Sequence, residues 1–354
     1  MSMVKECFKR YGAAAFMIAV VSAALLLSGC AKTEGTAPTE EAESKAVCRI
    51  GLSNDSYVIE RWLRERDIFV SAAQELGAEV NVQNANGDVD EQISQIEYFI
   101  KKQMDVIVVV AGDCEALSDV MRRAKEAGIK TICYDRLIHN SNCDLYISCD
   151  STQVGRLMAE NMAANIPEGG NIFLILGPKN DDNVTKIRDG VFEVLDKSSI
   201  KVAYEANCDG WLAEQAYTYV KEGLKKERNI KGIICGNDDL ASQAFKALAE
   251  ERLAGNVFLT GQDGDLAACQ RIVEGTQEMT AFKYTEEQAR LAAKYAVLLA
   301  QGEPLSDVTA TIHDGAYDVP YLRMEPIAVT KENMDSVMIE GGFRTKEDVY
   351  LNVD

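Results

Sequence analysis

From residue 47 onward, short apolar runs rich in β-branched residues alternate with longer stretches in which apolar positions recur at helical spacing. Strands are predicted over 47–52, 80–83, 106–110 and 130–134, with helices over 59–76 and 115–127, the second ended by Gly128. Between them Ala85, Asn86 and Gly87 make a turn, and Asp88 or Asp90 caps a helix that places Ile93, Ile96 and Ile100 on one face. The five consecutive apolar residues at 106–110 fit a strand covered on both sides, as parallel strands are. After a helix from about 151 that aligns Val154, Leu157, Met158 and Met162, the scheme repeats, with strands at 172–176, 202–205, 232–235 and 257–260. Strands separated by helices of this length form βαβ units, so the pattern predicts an α/β fold, doubly wound, twice over, with a break between the halves at 147–151.

Where the strand-like runs stop, polar groups cluster: Tyr134, Asp135 and Arg136; residues 177–183; Gly236, Asn237 and Asp238; Gln262 and Asp263. In open parallel sheets, positions that end a strand and open a helix gather in the crevice at the carboxyl ends of the strands, where such sheets bind ligands. The clusters hold donors and acceptors without a nucleophile paired to a base. That chemistry suits holding a neutral polyhydroxylated molecule and argues against an enzyme.

The first 29 residues read as a secretory signal: Lys5, Lys9 and Arg10 precede an apolar stretch over 13–27, too short for a confident membrane span. Leu27, Ser28, Gly29 and Cys30 resemble the bacterial lipoprotein signal, which implies lipid on Cys30, a flexible tether over 30–46 and an extracytoplasmic protein held at the membrane. Cleavage removes a net charge of +2 and takes the formal charge from −19 to −21. With no basic patch left to neutralise phosphates, nucleic acid is excluded as a partner.

Of ten cysteines, eight remain after Cys7 and Cys30 are set aside. Cys133 and Cys235 sit in apolar strand runs, where cysteine behaves as a small hydrophobe. No Cys-x-x-Cys spacing points to zinc, and His139 and His313 lie far apart, so neither metal nor cofactor is expected. Free thiols in a reducing habitat are the favoured state, with one bridge such as Cys114–Cys143 left open. Asn86, Asp88 and Asp90 alternate like calcium ligands, but the later glutamate of an EF-hand loop is missing.

Several motifs together carry a resemblance: Glu60-Arg61-Trp62 followed by residues 66–70, the turn at 82–87, Tyr134-Asp135-Arg136, Asp209-Gly210-Trp211-Leu212, Gly261-Gln262-Asp263 and Gly275-Thr276-Gln277. In that order, over about 49–343, they resemble the ribose/galactose-type (type I, cluster B) periplasmic sugar-binding proteins of ABC importers, nearest the D-xylose-binding members. The resemblance implies a periplasmic-binding-protein-like type I fold, two Rossmann-like lobes joined by three hinge crossings. It assigns 47–149 and 284–316 to the N-terminal lobe and 150–283 and 317–349 to the C-terminal lobe. It further implies that one monosaccharide is held by Arg61, Trp62, Asp135, Arg136, Asp181, Asn183, Trp211, Asn237, Asp263 and Lys283.

Sugar chemistry supports that set independently. A pyranose has an apolar C–H face that indole can cover and a rim of hydroxyls that Asp, Asn and Arg can bridge in pairs. Both tryptophans of the chain, Trp62 and Trp211, fall in the matched motifs. Plainer readings compete: Trp211 as a staple for the helix after it, Asp263 as an N-cap, Asp135 with Arg136 as a surface ion pair, Lys283 as a solvated side chain. Two departures stand out, Asp182 where the xylose proteins have Asn, which adds charge beside the sugar, and Ser151 where they also have Asn. The expected partners are a monosaccharide and the permease of an ABC transporter. The alternative is a sugar-sensing subunit docking on a membrane histidine kinase, while a LacI-type repressor is argued down by the signal segment and the missing helix-turn-helix.

Overall fold

The computed structural model describes residues 47–353. The signal segment, Cys30 and the tether lie outside them. The first lobe begins β1 (Cys48–Asn54), α1 (Arg61–Glu75), β2 (Ala78–Asn84), α2 (Val89–Lys101), β3 (Val106–Val110), α3 (Ser118–Glu126), β4 (Lys130–Tyr134) and β5 (Leu145–Cys149). The second runs through α4 (Ser151–Asn165), β6 (Gly170–Leu176), α5 (Asp182–Leu195), β7 (Ile200–Asn207), α6 (Glu214–Lys226), β8 (Ile230–Cys235), α7 (Asp238–Glu250), β9 (Phe258–Gln262), α8 (Leu266–Glu274) and β10 (Met279–Phe282). The chain then returns to the first lobe with α9 (Thr285–Ala300), β11 (Ala310–His313) and β12 (Asp318–Met324), and ends on the second with β13 (Ile327–Val329) and α10 (Lys346–Val349).

Both sheets repeat one topology. Read from one edge, the first is β2-β1-β3-β4-β5 and the second β7-β6-β8-β9-β10, all parallel. This is the doubly wound order whose direction reverses beside the first strand of each lobe, which opens a crevice at the carboxyl ends. All five residues of β3 are buried, as a strand covered by helices on both faces requires. Asp88 caps α2, its carboxylate accepting from the Glu91 amide at 3.1 Å, which accounts for the calcium-like spacing.

The change of lobe expected at 317 falls instead in the turn between β11 and β12. β12 lies parallel to β5 in the first sheet, with Tyr321 opposite Tyr146 and the two rings stacked at 4.8 Å, so the chain leaves that sheet only after Met324. Strand pairing over so long a sequence separation leaves no mark in local texture.

α4 and α5 approach almost backbone to backbone. A Cβ on Gly155 would strike the carbonyl oxygen of Ile187, and one on Gly190 that of Thr152. Gly155→Ala is therefore expected to lower the melting temperature, by the 1–3 kcal/mol or so of an overpacked core. A melting curve that matches the parent's would show that the two helices part freely.

Candidate functional site

Each sequence-derived candidate sits at a carboxyl end of a strand or on the helix that follows. Arg61 and Trp62 open α1 after β1, and Asp135 and Arg136 follow β4. Asp181 and Asn183 follow β6, Trp211 follows β7, Asn237 follows β8, Asp263 follows β9 and Lys283 follows β10. Three of them hold a backbone that side chains rarely adopt: Asp135 at φ 65°, Trp211 at φ 58° and Asp263 at φ 100°. Such conformations cost about 1–3 kcal/mol each and persist only where neighbours enforce them. For Asp135 the neighbours are visible. Its amide donates to Ile147 O at 2.8 Å, and its carbonyl accepts from Ser148 Oγ at 2.7 Å and Asn183 Nδ2 at 3.0 Å.

All ten are buried, none more than 6% exposed, and nine of them are linked by side-chain contacts, while Asn237 stands at the carboxyl end of β8 in the second sheet. Arg61 donates to Asp135 Oδ1 at 2.8 Å and reaches Asp263 at 3.5 Å, and Arg136 lies 2.8 Å from Asp181. Asn183 Nδ2 lies 3.1 Å from Asp135 Oδ2, and Lys283 Nζ 3.0 Å from Asp263. First-lobe and second-lobe residues thus meet across the crevice. The guanidinium groups of Arg61 and Arg136 lie 4.2 Å and 5.5 Å from the Trp62 ring centre. Burial removes the surface reading of the Asp135–Arg136 pair and the solvated reading of Lys283. The N-cap of α8 is Asp265, not Asp263. Trp211 does not staple α6: its indole N–H donates to Asp181 Oδ2 at 3.0 Å, and its ring packs so closely on Gly177 that a Cβ there would collide with it.

Charge compensation is the main task of such a site, because an unpaired buried charge is costly. Burial alone would raise the Asp135 carboxyl, but Arg61, Lys283 and Arg136 outweigh it and hold the group below the usual carboxylate range. For Asp181 burial wins over Arg136, and its pKa rises. Glu65 is the residue that sequence reasoning missed. Buried four residues after Arg61, it takes the guanidinium in a two-pronged bond and also accepts from the Tyr134 hydroxyl, so it aims Arg61 into the crevice. Helical i, i+4 spacing was its signal.

The two sequence departures turn out to be supporting contacts. Asp182 is bonded to His139 Nε2 at 3.0 Å and paired with Lys186, so the extra charge expected beside the sugar is engaged by these two groups. Ser151 Oγ donates to Asn183 Oδ1 at 2.9 Å and thereby presents Asn183 Nδ2 to Asp135. Asn237 caps α7 with its oxygen, at 2.9 Å from the Leu240 amide. Its buried Nδ2 has no partner among the described residues and is a donor free for a ligand. Cys114 and Cys143 are free thiols, like the other six cysteines among the described residues.

Behind Asp263 lies a second acidic group. Asp238 accepts from the amides of Gly264 and Asp265, from Thr280 Oγ1 at 2.7 Å and from Gln277 Nε2 at 3.0 Å, which explains why Gln277 belongs to the motif set. Burial first, and then the neighbouring carboxylates, push Asp265 up to about 9; burial pushes Asp238 up to about 7. An acid whose folded pKa stands above its unfolded value near 4 stabilises the fold below that value and loses the contribution as pH rises through the folded one. The melting temperature should therefore fall between pH 5 and pH 9, and Asp265→Asn should flatten the fall. Parallel pH profiles for parent and variant would remove Asp265 as the cause.

The crevice thus offers planar groups that bond in pairs, two indoles and a spare amide donor, which is chemistry for gripping adjacent hydroxyls rather than for breaking bonds. Comparison with known proteins agrees. The model for the periplasmic binding protein domain matches residues 50–304. The D-xylose-binding periplasmic protein of Haemophilus influenzae is 43% identical over 85% of this chain and 92% of its own, and that of Escherichia coli is 40% identical over the same shares. A solved ABC-transporter solute-binding protein from Clostridium phytofermentans with bound β-D-glucose superposes with a TM-score of 0.78 at 25% identity, covering 85% of this chain and 99% of that one. The fold, the crevice and these likenesses lead to one conclusion: the chain belongs to the periplasmic binding protein family.

Proposed function

We propose that this protein is the extracytoplasmic substrate-binding component of an ABC sugar importer, that it takes D-xylose, and that lipid on Cys30 holds it at the membrane. The observation that carries the reading is the convergence of buried donors, acceptors and indoles from both lobes on one crevice, including the unpartnered Nδ2 of Asn237. The preference for xylose rests on relatives at 43% and 40% identity that bear that name. Arg61, Trp62, Asp135 and Arg136 contact the sugar from the first lobe. Asp181, Asn183, Trp211, Asn237 and Asp263 do so from the second, and Lys283 from the crossing between them.

A thermal-shift screen of xylose, glucose, ribose, arabinose and galactose tests the reading. A ligand at about a hundred times its Kd adds about 2.7 kcal/mol of stability, so xylose should raise the melting temperature most. A melting temperature unmoved by all five sugars would sink the sugar reading, and a larger shift with another sugar would replace xylose.

A further inference from the structure

Beside the crevice, the loops after β3 and β4 bring three unlike donors together. Cys114 Sγ, a carboxylate oxygen of Glu115 and a ring nitrogen of His139 all lie within 4.8 Å of one another. Hydrogen bonds to the backbone hold them there. The His139 amide donates to Cys114 O at 2.8 Å, Ser118 Oγ donates to His139 O at 2.6 Å, and Asp113 Oδ1 takes the amides of Glu115 and Ala116, both at 2.9 Å. His139 itself is oriented from both sides: Nδ1 lies 2.5 Å from Glu115 Oε1, and Nε2 lies 3.0 Å from Asp182 Oδ1. One nitrogen turned to the donor cluster, with the other on a carboxylate that fixes tautomer and ring angle, is the arrangement of metal-binding imidazoles.

We propose that Cys114, Glu115 and His139, through Nδ1, bind a zinc ion, and that Asp182 of the second lobe is the carboxylate that orients His139. Thiolate, imidazole and carboxylate are the ligand types zinc takes, and three protein ligands leave the fourth tetrahedral position to water. Binding displaces the protons of the Cys114 thiol and of Nδ1, so affinity rises with pH. The groups facing His139 are Asp182, Cys114 and Glu115, with Lys186 beyond Asp182. Glu115 and Asp182 set a carboxylate on each side of the ring, and a divalent cation placed between Cys114 and Glu115 answers to that negative field. Because Asp182 meets His139 across the crevice, zinc and cleft closure favour each other, a consequence that rests on the sugar-clamp reading.

Cobalt(II) is the probe, titrated into the reduced protein and then displaced by zinc. The expected result is one Co²⁺ per chain with a thiolate-to-cobalt charge-transfer band. Cys114→Ser should abolish the band, and Asp182→Asn should keep it while weakening metal binding by about 10- to 100-fold. Circular dichroism checks folding, and X-ray absorption of the zinc-loaded parent, with one sulfur expected in the coordination shell, serves if Cys114→Ser does not fold. Absence of the band and of sulfur from the parent's shell would overturn the site, as would a band unchanged in Cys114→Ser. Metal affinity undiminished in Asp182→Asn would overturn the role of Asp182. Sugar titration of the same samples reads the clamp separately, so either reading can fail while the other stands.

Discussion

Asp135→Ala is expected to lose nearly all sugar affinity together with the ligand-induced compaction seen by small-angle scattering. The carboxylate joins the lobes directly, taking Arg61 at 2.8 Å from its own lobe and Asn183 at 3.1 Å from the other. Its removal leaves Arg61, itself 3% exposed, with one fewer counter-charge in a buried site. Truncating one partner of such a pair costs about 2–5 kcal/mol, about 30-fold or more in Kd. A ligand shifts the open and closed populations only by its differential affinity for them, so a sugar that has lost its first-lobe anchor binds the open form weakly and does not close it. If the variant compacts with xylose as the parent does, Asp135 is not the contact through which the first lobe grips.

Trp211→Ala is expected to weaken binding at least tenfold in a protein that still folds. An aromatic face under a ring is worth about 1–3 kcal/mol, by analogy with bases stacked on aromatic side chains. The indole also ties two loops of the second lobe together through its bond to Asp181 Oδ2 at 3.0 Å, so its loss releases a carboxylate that pairs with Arg136. Trp211→Phe separates the two effects, since it keeps a face and drops the N–H. Equal affinity in parent, Trp211→Ala and Trp211→Phe would mean that the ring packs on Gly177 for the fold alone.

Much of this architecture is local and was legible in the chain. The runs predicted at Val106–Val110 and Lys130–Tyr134 are β3 and β4 to the residue, and β3 is the unbroken apolar stretch that a parallel strand buried on both faces needs. The polar clusters that end such runs mark the carboxyl ends of the strands, and doubly wound topology then places them in one crevice whatever their order. Pairings between distant segments were decided only by the tertiary structure. β12 joins β5 through backbone bonds that leave no periodic trace, so the last crossing lies after Met324. Glu65 looks like any helical glutamate until folding buries it against Arg61 and Tyr134. Asp182, read as charge beside the sugar, is claimed by His139 from the other lobe. Local periodicity sets which way a side chain faces, whereas the charge that answers Asp135 lies 74 residues away, and Asp263, paired with Lys283, is also reached by Arg61 from 202 residues away, matches that only the folded chain can make.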